Sequence, residues 1–95
     1  MSDAYETAKR PGGRHHGFLD NLPKQGERQI RKTIASHLRQ AERHESKIAT
    51  PQDYVSDWDQ KSEAYRAGLI EKWRREAEDR RQPVEIARRY LDEKR

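Results

Sequence analysis

Histidines are the residues of this chain best suited to acid–base chemistry, because an imidazole can take up or release a proton near neutral pH. Of the four histidines, His15 and His16 lie in the stretch "PGGRHHGF", residues 11–18, with three glycines and an arginine. His37 and His44 follow in a charged segment. RNA cleavage without a metal needs a group that accepts the 2′-hydroxyl proton, a group that protonates the leaving oxygen, and a cation beside the developing charge. His15 and His44 are the candidate catalytic pair if the loop faces the segment carrying His44.

Cations and one aromatic residue accompany these histidines. Arg14 directly precedes His15, and Lys47 follows His44 by three residues, so both could contact a phosphate. The candidate substrate-binding residues are Arg14, Arg43, Lys47 and Tyr54. This set suits a phosphodiester substrate.

The same residues have simpler interpretations, which the sequence leaves open. Gly12, Gly13 and Gly17 let the backbone turn tightly or approach a ligand, but they are equally typical of a flexible leader. His37 falls on the apolar stripe of a predicted helix, where a core histidine bonded to a neighbour is the favoured interpretation.

No metal or cofactor motif accompanies the histidines. Side chains of adjacent histidines diverge, the pattern HExxH is missing, and the chain has no cysteine. We therefore expect neither a metal site nor a cofactor. The sequence also lacks the Gly-rich phosphate loop and the Rossmann pattern that would support action on a free nucleotide.

Composition limits the chain to one small domain with a thin core. Of its 95 residues, 31% are hydrophobic and 40% are charged. No run approaches the ~20 apolar residues of a membrane span, and the N-terminal stretch lacks the apolar region of a signal peptide. We expect no membrane span and no signal peptide.

The net charge of +4 is concentrated in the first half of the chain. Residues 1–50 carry ten Lys or Arg and six Asp or Glu, whereas residues 51–95 carry eleven of each. A basic face suits a nucleic acid backbone or an acidic partner protein, and the alternative is an ordinary solvated helix surface. RNA is expected in preference to DNA.

Helical periodicity predicts an all-α fold. Apolar residues and two histidines recur at helical spacing over residues 27–49, and Pro51 is expected to end that helix. A second helix is predicted over about residues 60–81, capped by Ser62 or Asp59, with Pro83 breaking or kinking it. The predicted architecture is an antiparallel helical hairpin with a kinked C-terminal helix. Trp58 and Trp73 are expected to be buried between the helices.

Residues 1–23 show no sustained period and are predicted to form an irregular, partly disordered and flexible arm that contains the Gly-His loop. Residues 24–95 are predicted to form the helical domain. The apolar cluster Phe18, Leu19 and Leu22 could dock the arm onto a helix. Deletion of residues 1–10 is therefore expected to be tolerated.

Two stretches, "GGRHHGF" and "SHLRQAERHESKIATPQDYVSDW", together resemble the C-terminal toxin-tip regions of Rhs-type and related bacterial polymorphic toxin proteins. Those regions carry a Gly-Gly-basic-His-x-Gly-aromatic run, a helix ending in a His-x-x-Lys-Ile-Ala-Asn-Pro-like sequence, and then a Tyr and a Trp. The matching positions are Gly12, Gly13, Arg14, His15, Gly17, Phe18, Gln40, His44, Lys47, Ile48, Ala49, Pro51, Tyr54, Trp58, Leu69, Ile70 and Trp73. Thr50 departs from this pattern, and so does Pro83.

The resemblance implies a bacterial antibacterial effector domain that a larger carrier or secretion system delivers into the target-cell cytoplasm. It also implies a cognate acidic immunity protein as a partner, but it names no reaction. Joined with the residues above, it favours a nuclease-like toxin that cleaves RNA with His15 and His44. The alternative is a non-catalytic helical module that binds nucleic acid or protein through residues 27–49.

Overall fold

A computed structural model describes residues 3–94 and confirms the all-α prediction. The protein is 83% helical, and no strand occurs in the described part of the chain. The helices are α1 (Ala4–Lys9), α2 (His16–Asn21), α3 (Glu27–Ala49) and α4 (Glu63–Lys94), with 3₁₀ turns at Leu22–Lys24, Pro51–Asp53 and Trp58–Gln60. The helices α3 and α4 form the predicted hairpin-like pair.

Helix α3 begins and ends where the sequence predicts. Gly26 precedes it in an extended conformation, and Thr50 leaves the helical conformation before Pro51. Ile30, Ile34 and Ala41 of the predicted stripe are buried. Burial of this one face against α4 explains why a segment of low mean hydropathy is helical.

Helix α4 is longer than the sequence predicts. The Ser62 hydroxyl caps it, accepting a hydrogen bond of 3.1 Å from the Tyr65 amide. The alternative that Pro83 breaks the segment into two helices is wrong, because α4 continues to Lys94 with Pro83 inside it. Proline removes one backbone hydrogen bond, but Ile86 and Ala87, just beyond it, are fully buried and anchor the helix to the core.

The N-terminal segment is mostly helical, so the prediction of an irregular arm is wrong for residues 4–9 and 16–24. The Asp3 carboxylate caps α1 through the Glu6 amide at 2.8 Å. Tyr5, Ala8 and Leu22 are buried, and α1 packs on α4. Sequence reasoning anticipated the docking of Leu22 but not that of α1. The part of the predicted disorder that concerns Met1 and Ser2 lies outside the described residues.

One main core joins the N-terminal segment to the hairpin, across the predicted boundary at residue 23. Its buried members are Tyr5, Ala8, Leu22, Ile30, Ile34, Val84, Ile86, Ala87 and Leu91, with Phe18, Leu19 and Leu38 partly buried against it. Trp58 and Trp73 are 9% and 6% exposed, as predicted, and stack with ring centroids 6.2 Å apart. They lie outside the main core, towards the connector between α3 and α4.

Candidate active site

A cleft of about 550 Å³ lies between the N-terminal segment, α3 and α4. Residues from all three elements line it: Arg14, His15, Phe18, His37, His44, Glu76, Asp79, Arg80 and Pro83. The predicted pair His15 and His44 thus faces one cavity, and so does the predicted cation Arg14. The cleft also holds acidic and basic side chains of α4 that sequence reasoning did not place there.

The glycine-rich loop is folded back onto α4, which fixes His15. The Gly13 amide donates to the Arg10 carbonyl at 2.9 Å, and the His16 amide donates to the Gly13 carbonyl at 3.1 Å, so the loop is a pair of tight turns. His15 then adopts a left-handed conformation with φ of 64° immediately before α2. Its Nε2 lies 3.0 Å from Gln82 Oε1. Because that oxygen only accepts, Nε2 carries the proton, and the lone pair of neutral His15 is on Nδ1.

The two neighbours of His15 attach the same loop to the rest of the protein. The Arg14 guanidinium forms an ion pair with the Asp79 carboxylate at the edge of the cleft. The His16 Nδ1 lies 2.8 Å from the Ala8 carbonyl, so it donates to the end of α1. His16 is therefore a structural residue, and Arg14 reaches the cleft already paired with a carboxylate.

His44 faces Glu76 across the hairpin. Its Nδ1 lies 3.1 Å from Glu76 Oε2. The alignment is not that of a hydrogen bond, so this buried nitrogen has an ion-pair contact but no hydrogen-bond partner. With Nδ1 against Glu76, Nε2 is the nitrogen that can exchange a proton with a substrate. A carboxylate in this position stabilises the imidazolium that forms when histidine accepts a proton.

His37 also lines the cleft, so its interpretation as an ordinary core histidine is only partly right. Its ring meets Phe18 edge to face, with centroids 6.0 Å apart, and its Nδ1 is buried without a hydrogen-bond partner. Burial, and secondarily the charges of Arg80 and His15, lowers the pKa of His37 below its ordinary value of 6.5. His37 is therefore neutral at pH 7 and contributes no charge to the cleft.

A second cavity of about 360 Å³, the α3 groove, opens on the other side of His44. Its lining comes from α3 alone: Ser36, Arg39, Gln40, Arg43, His44 and Lys47. The predicted cations Arg43 and Lys47 lie here rather than in the cleft, and His44 lines both cavities. Tyr54 lines neither. It lies in the connector after α3, with 50% of its surface exposed.

Sequence reasoning missed the contribution of α4 to the cleft. Glu76 and Arg80 are four residues apart, the spacing of an i,i+4 ion pair on a solvated helix flank, so this spacing alone gives no reason to place them in a cleft. Arg80 instead faces the cleft beside His37, and no ion pair engages it within residues 3–94. The sequence does hold one indication that they face the cleft. Glu76 and Arg80 flank Ala77, a buried residue on the apolar stripe of α4.

A third cavity, of about 390 Å³, lies on the far side of Arg14 and His15 and is lined in part by Asp3, Glu78 and Glu85. Its three carboxylates outnumber the guanidinium groups of Arg14 and Arg81, whereas the cleft has two carboxylates and two guanidinium groups, so this cavity is a poorer place for a phosphate than the cleft. Within residues 3–94 no cluster of histidine, cysteine and acidic side chains is arranged to hold a metal ion. No helix in this part of the chain is both long and apolar enough to cross a membrane.

Comparison of the chain with protein-family models, with curated proteins and with solved structures finds no match. The resemblance to polymorphic toxin tips therefore stays a prediction from the residue pattern.

Proposed function

We propose that the protein is a metal-independent ribonuclease in which His44 and His15 form the acid–base pair. The observation that carries this proposal is that two histidines from distant parts of the chain line one cleft, each oriented by a polar side chain of α4. General acid–base catalysis requires such a pair on either side of the reacting phosphate.

In the proposed reaction His44 Nε2 accepts the proton of the 2′-hydroxyl, while Glu76 stabilises the imidazolium that forms. The 2′-oxygen attacks phosphorus, a new P–O2′ bond forms, and the P–O5′ bond breaks. Protonated His15 gives its Nδ1 proton to the departing 5′-oxygen, while its Nε2–H stays hydrogen-bonded to Gln82 Oε1. The products are a 2′,3′-cyclic phosphate and a 5′-hydroxyl. Arg80, which has no carboxylate partner among residues 3–94, is better placed than Arg14, which is paired with Asp79, to neutralise the extra charge on phosphate.

The test is cleavage of a labelled single-stranded RNA by purified protein in the presence of EDTA. We expect cyclic-phosphate products from the wild type and none from a 2′-deoxy substrate. His15→Ala and His44→Ala should each lower the rate by roughly 10²–10⁴-fold. His16→Asn is the matched control, because His16 contacts the Ala8 carbonyl outside the cleft. Full activity in both cleft variants would refute the proposal.

A non-catalytic binding module is the second candidate, and the α3 groove favours it. Arg39 and Arg43 carry no ion pair within the described residues, so the groove presents free positive charge. Salt-dependent RNA binding with no cleavage under any tested condition would select this candidate and make the histidines incidental.

The role of an antibacterial effector rests on the residue pattern alone. If it holds, induced expression in bacteria should arrest growth, the His15→Ala variant should not, and a small acidic protein encoded next to the gene should restore growth. RNA recovered from arrested cells should carry cyclic-phosphate ends. If expression of the active ribonuclease left growth unaffected, the protein would be a ribonuclease but not an antibacterial toxin.

A further inference from the structure

We propose that the α3 groove binds the backbone of single-stranded RNA and leads the strand to the cleft at His44. This inference rests on the proposed function, since it concerns the substrate of the same site. It adds the strandedness of the RNA and the path of the strand from the groove to the cleft.

The cations of the groove are spaced regularly along one face of α3. Arg39, Arg43 and Lys47 are four residues apart, so each is about 6 Å further along the helix axis than the one before. This is comparable to the spacing of successive phosphates along an extended strand. Among the described residues, no acidic side chain lines the groove. A single strand can therefore place consecutive phosphates against consecutive cations.

The position of His44 connects the row of cations on α3 to the proposed site of cleavage. His44 lies between Arg43 and Lys47 in sequence and lines both the groove and the cleft. A phosphate held by the row is thus next to the histidine that we propose as the base. The path does not favour the third cavity, where Asp3, Glu78 and Glu85 would repel the backbone.

Exposed aromatic residues at the connector end of the hairpin, where α3 ends just after Lys47, favour a single strand over a duplex. Tyr54 and Tyr65 are 50% and 48% exposed, and they are the large hydrophobic residues that the described structure leaves most open to solvent. Both lie at the connector end of the hairpin, where Lys47 Nζ rests 5.9 Å from the centroid of the buried Trp73 ring. Exposed rings at this end of the hairpin can stack on unpaired bases, whose faces a duplex hides.

The experiment measures binding of a short 2′-O-methyl oligonucleotide, which cannot be cleaved, by fluorescence anisotropy over a range of salt concentrations. The same sequence as a duplex is the comparison. We expect the single strand to bind more tightly. Arg39→Gln, Arg43→Gln and Lys47→Gln should each reduce the slope of log K against log salt by about 0.7, the value for one phosphate contact on a single strand.

Arg31→Gln is the matched control, because Arg31 lies on the same helix, outside the groove, and pairs with Glu27 at 2.8 Å. Tyr54→Ala should weaken single-strand binding by roughly five- to 100-fold and leave the salt slope unchanged. Circular dichroism of each variant checks that the helices persist.

The inference would be overturned by equal or tighter binding of the duplex, or by groove variants that behave like Arg31→Gln. Binding that is insensitive to salt would also overturn it and would indicate a protein partner for the groove. Failure of the ribonuclease proposal is recognised separately, whatever the salt slopes show, because the wild type would then cleave no RNA or His15→Ala and His44→Ala would keep full cleavage activity.

Discussion

Gly13 decides where the histidine loop can lie. A Cβ atom at this position would be 2.0 Å from the Thr7 carbonyl oxygen, which is backbone and cannot turn aside. Gly13→Ala should therefore push the loop away from α1 and displace His15. We expect a ribonuclease rate lowered by at least tenfold with the helical circular dichroism spectrum retained, since the three atoms nearest the added methyl group belong to Thr7 and Arg10 and not to α3 or α4.

Gly17→Ala is the control for this prediction. A Cβ atom there would have no neighbour within 4 Å, and Gly17 lies in α2, where alanine is favoured by up to about 1 kcal/mol over glycine. Activity should be unchanged and the free energy of unfolding equal or higher. Equal activity of the two variants would show that the loop is a leader without a catalytic role.

His37 should make the protein less stable in mildly acidic solution. Its pKa is lowered on folding, mainly by burial, so the unfolded chain binds the proton more readily. The stability that depends on neutral His37 is present above pH 6.5, the ordinary value, and is lost as pH falls through the lowered pKa. In urea titrations between about pH 7.5 and pH 5, His37→Gln should flatten the decline in the free energy of unfolding.

The carboxyl groups with shifted pKa values titrate below this pH range, so they do not contribute to the decline in the free energy of unfolding. The pKa of Glu45 is lowered by its hydrogen bond to Arg81, and that of Asp3 by the Glu6 amide and Arg89, so both titrate below their ordinary values of 4.5 and 3.8. A decline of equal steepness in the wild type and in His37→Gln would contradict the prediction.

The types and neighbours of single residues were enough to suggest His15 and His44 but not their partners. The chain has four histidines, and a loop rich in glycine can fold back onto a helix. These two features suggest that His15 and His44 lie close together. Glu76 reaches His44 across the hairpin, which depends on the register between α3 and α4, whereas Gln82 reaches His15 from α4, which depends on how the N-terminal segment docks. The connector sets this register with two 3₁₀ turns and a left-handed Asp57 at φ of 58°, which no local pattern indicates.

At the scale of elements, α1 is a part of the core, so deletion of residues 1–10 should not be tolerated. Tyr5 is 4% exposed, its hydroxyl donates to Glu93, and the Arg89 guanidinium lies 4.8 Å from its ring centroid. Tyr5→Ala should lower the free energy of unfolding by about 3–5 kcal/mol, measured by urea denaturation. A thin core leaves little stability beyond that loss.

Tyr5→Phe separates the ring of Tyr5 from its hydroxyl. Burial and the neighbouring Glu93 raise the pKa of Tyr5 to about 12, which shows that the hydroxyl stays protonated and acts as a donor. Loss of this one bond should cost about 1 kcal/mol, much less than loss of the ring. A Tyr5→Ala variant as stable as the wild type would restore the interpretation of this segment as a flexible arm.

The long helices could be predicted and the short ones could not, for a physical reason. Helix α3 repeats its apolar spacing over several turns, and Pro51 ends it, so local rules suffice. Helix α1 has six residues and buries only Tyr5 and Ala8, too few for a period to emerge. Short helices are unstable alone and form where tertiary contacts hold them. The same contacts, at Ile86 and Ala87, carry α4 past Pro83 against its local preference.

At the scale of the whole molecule, the protein is elongated, with principal extents of 51 × 26 × 18 Å. Its main core lies where the N-terminal segment covers the hairpin, and the stacked Trp58 and Trp73 lie outside that core. The cleft and the α3 groove lie along α3 between the main core and the connector end. The site therefore depends on the hairpin holding its register over its full length.

This shape leads to a prediction about cooperativity. Both tryptophans report on the connector end, whereas far-UV circular dichroism reports mainly on the two long helices. The connector end holds few buried side chains and is held by the Trp58–Trp73 stack, so it should open at a lower free energy than the main core. In urea, the fluorescence transition should have a lower midpoint than the circular dichroism transition.

Leu22→Ala, which creates a cavity in the main core, should move the circular dichroism midpoint more than the fluorescence midpoint, because Leu22 is fully buried at the other end. Superimposed transitions in both proteins would instead show one two-state unit, with the tryptophans coupled to the main core through α3 and α4.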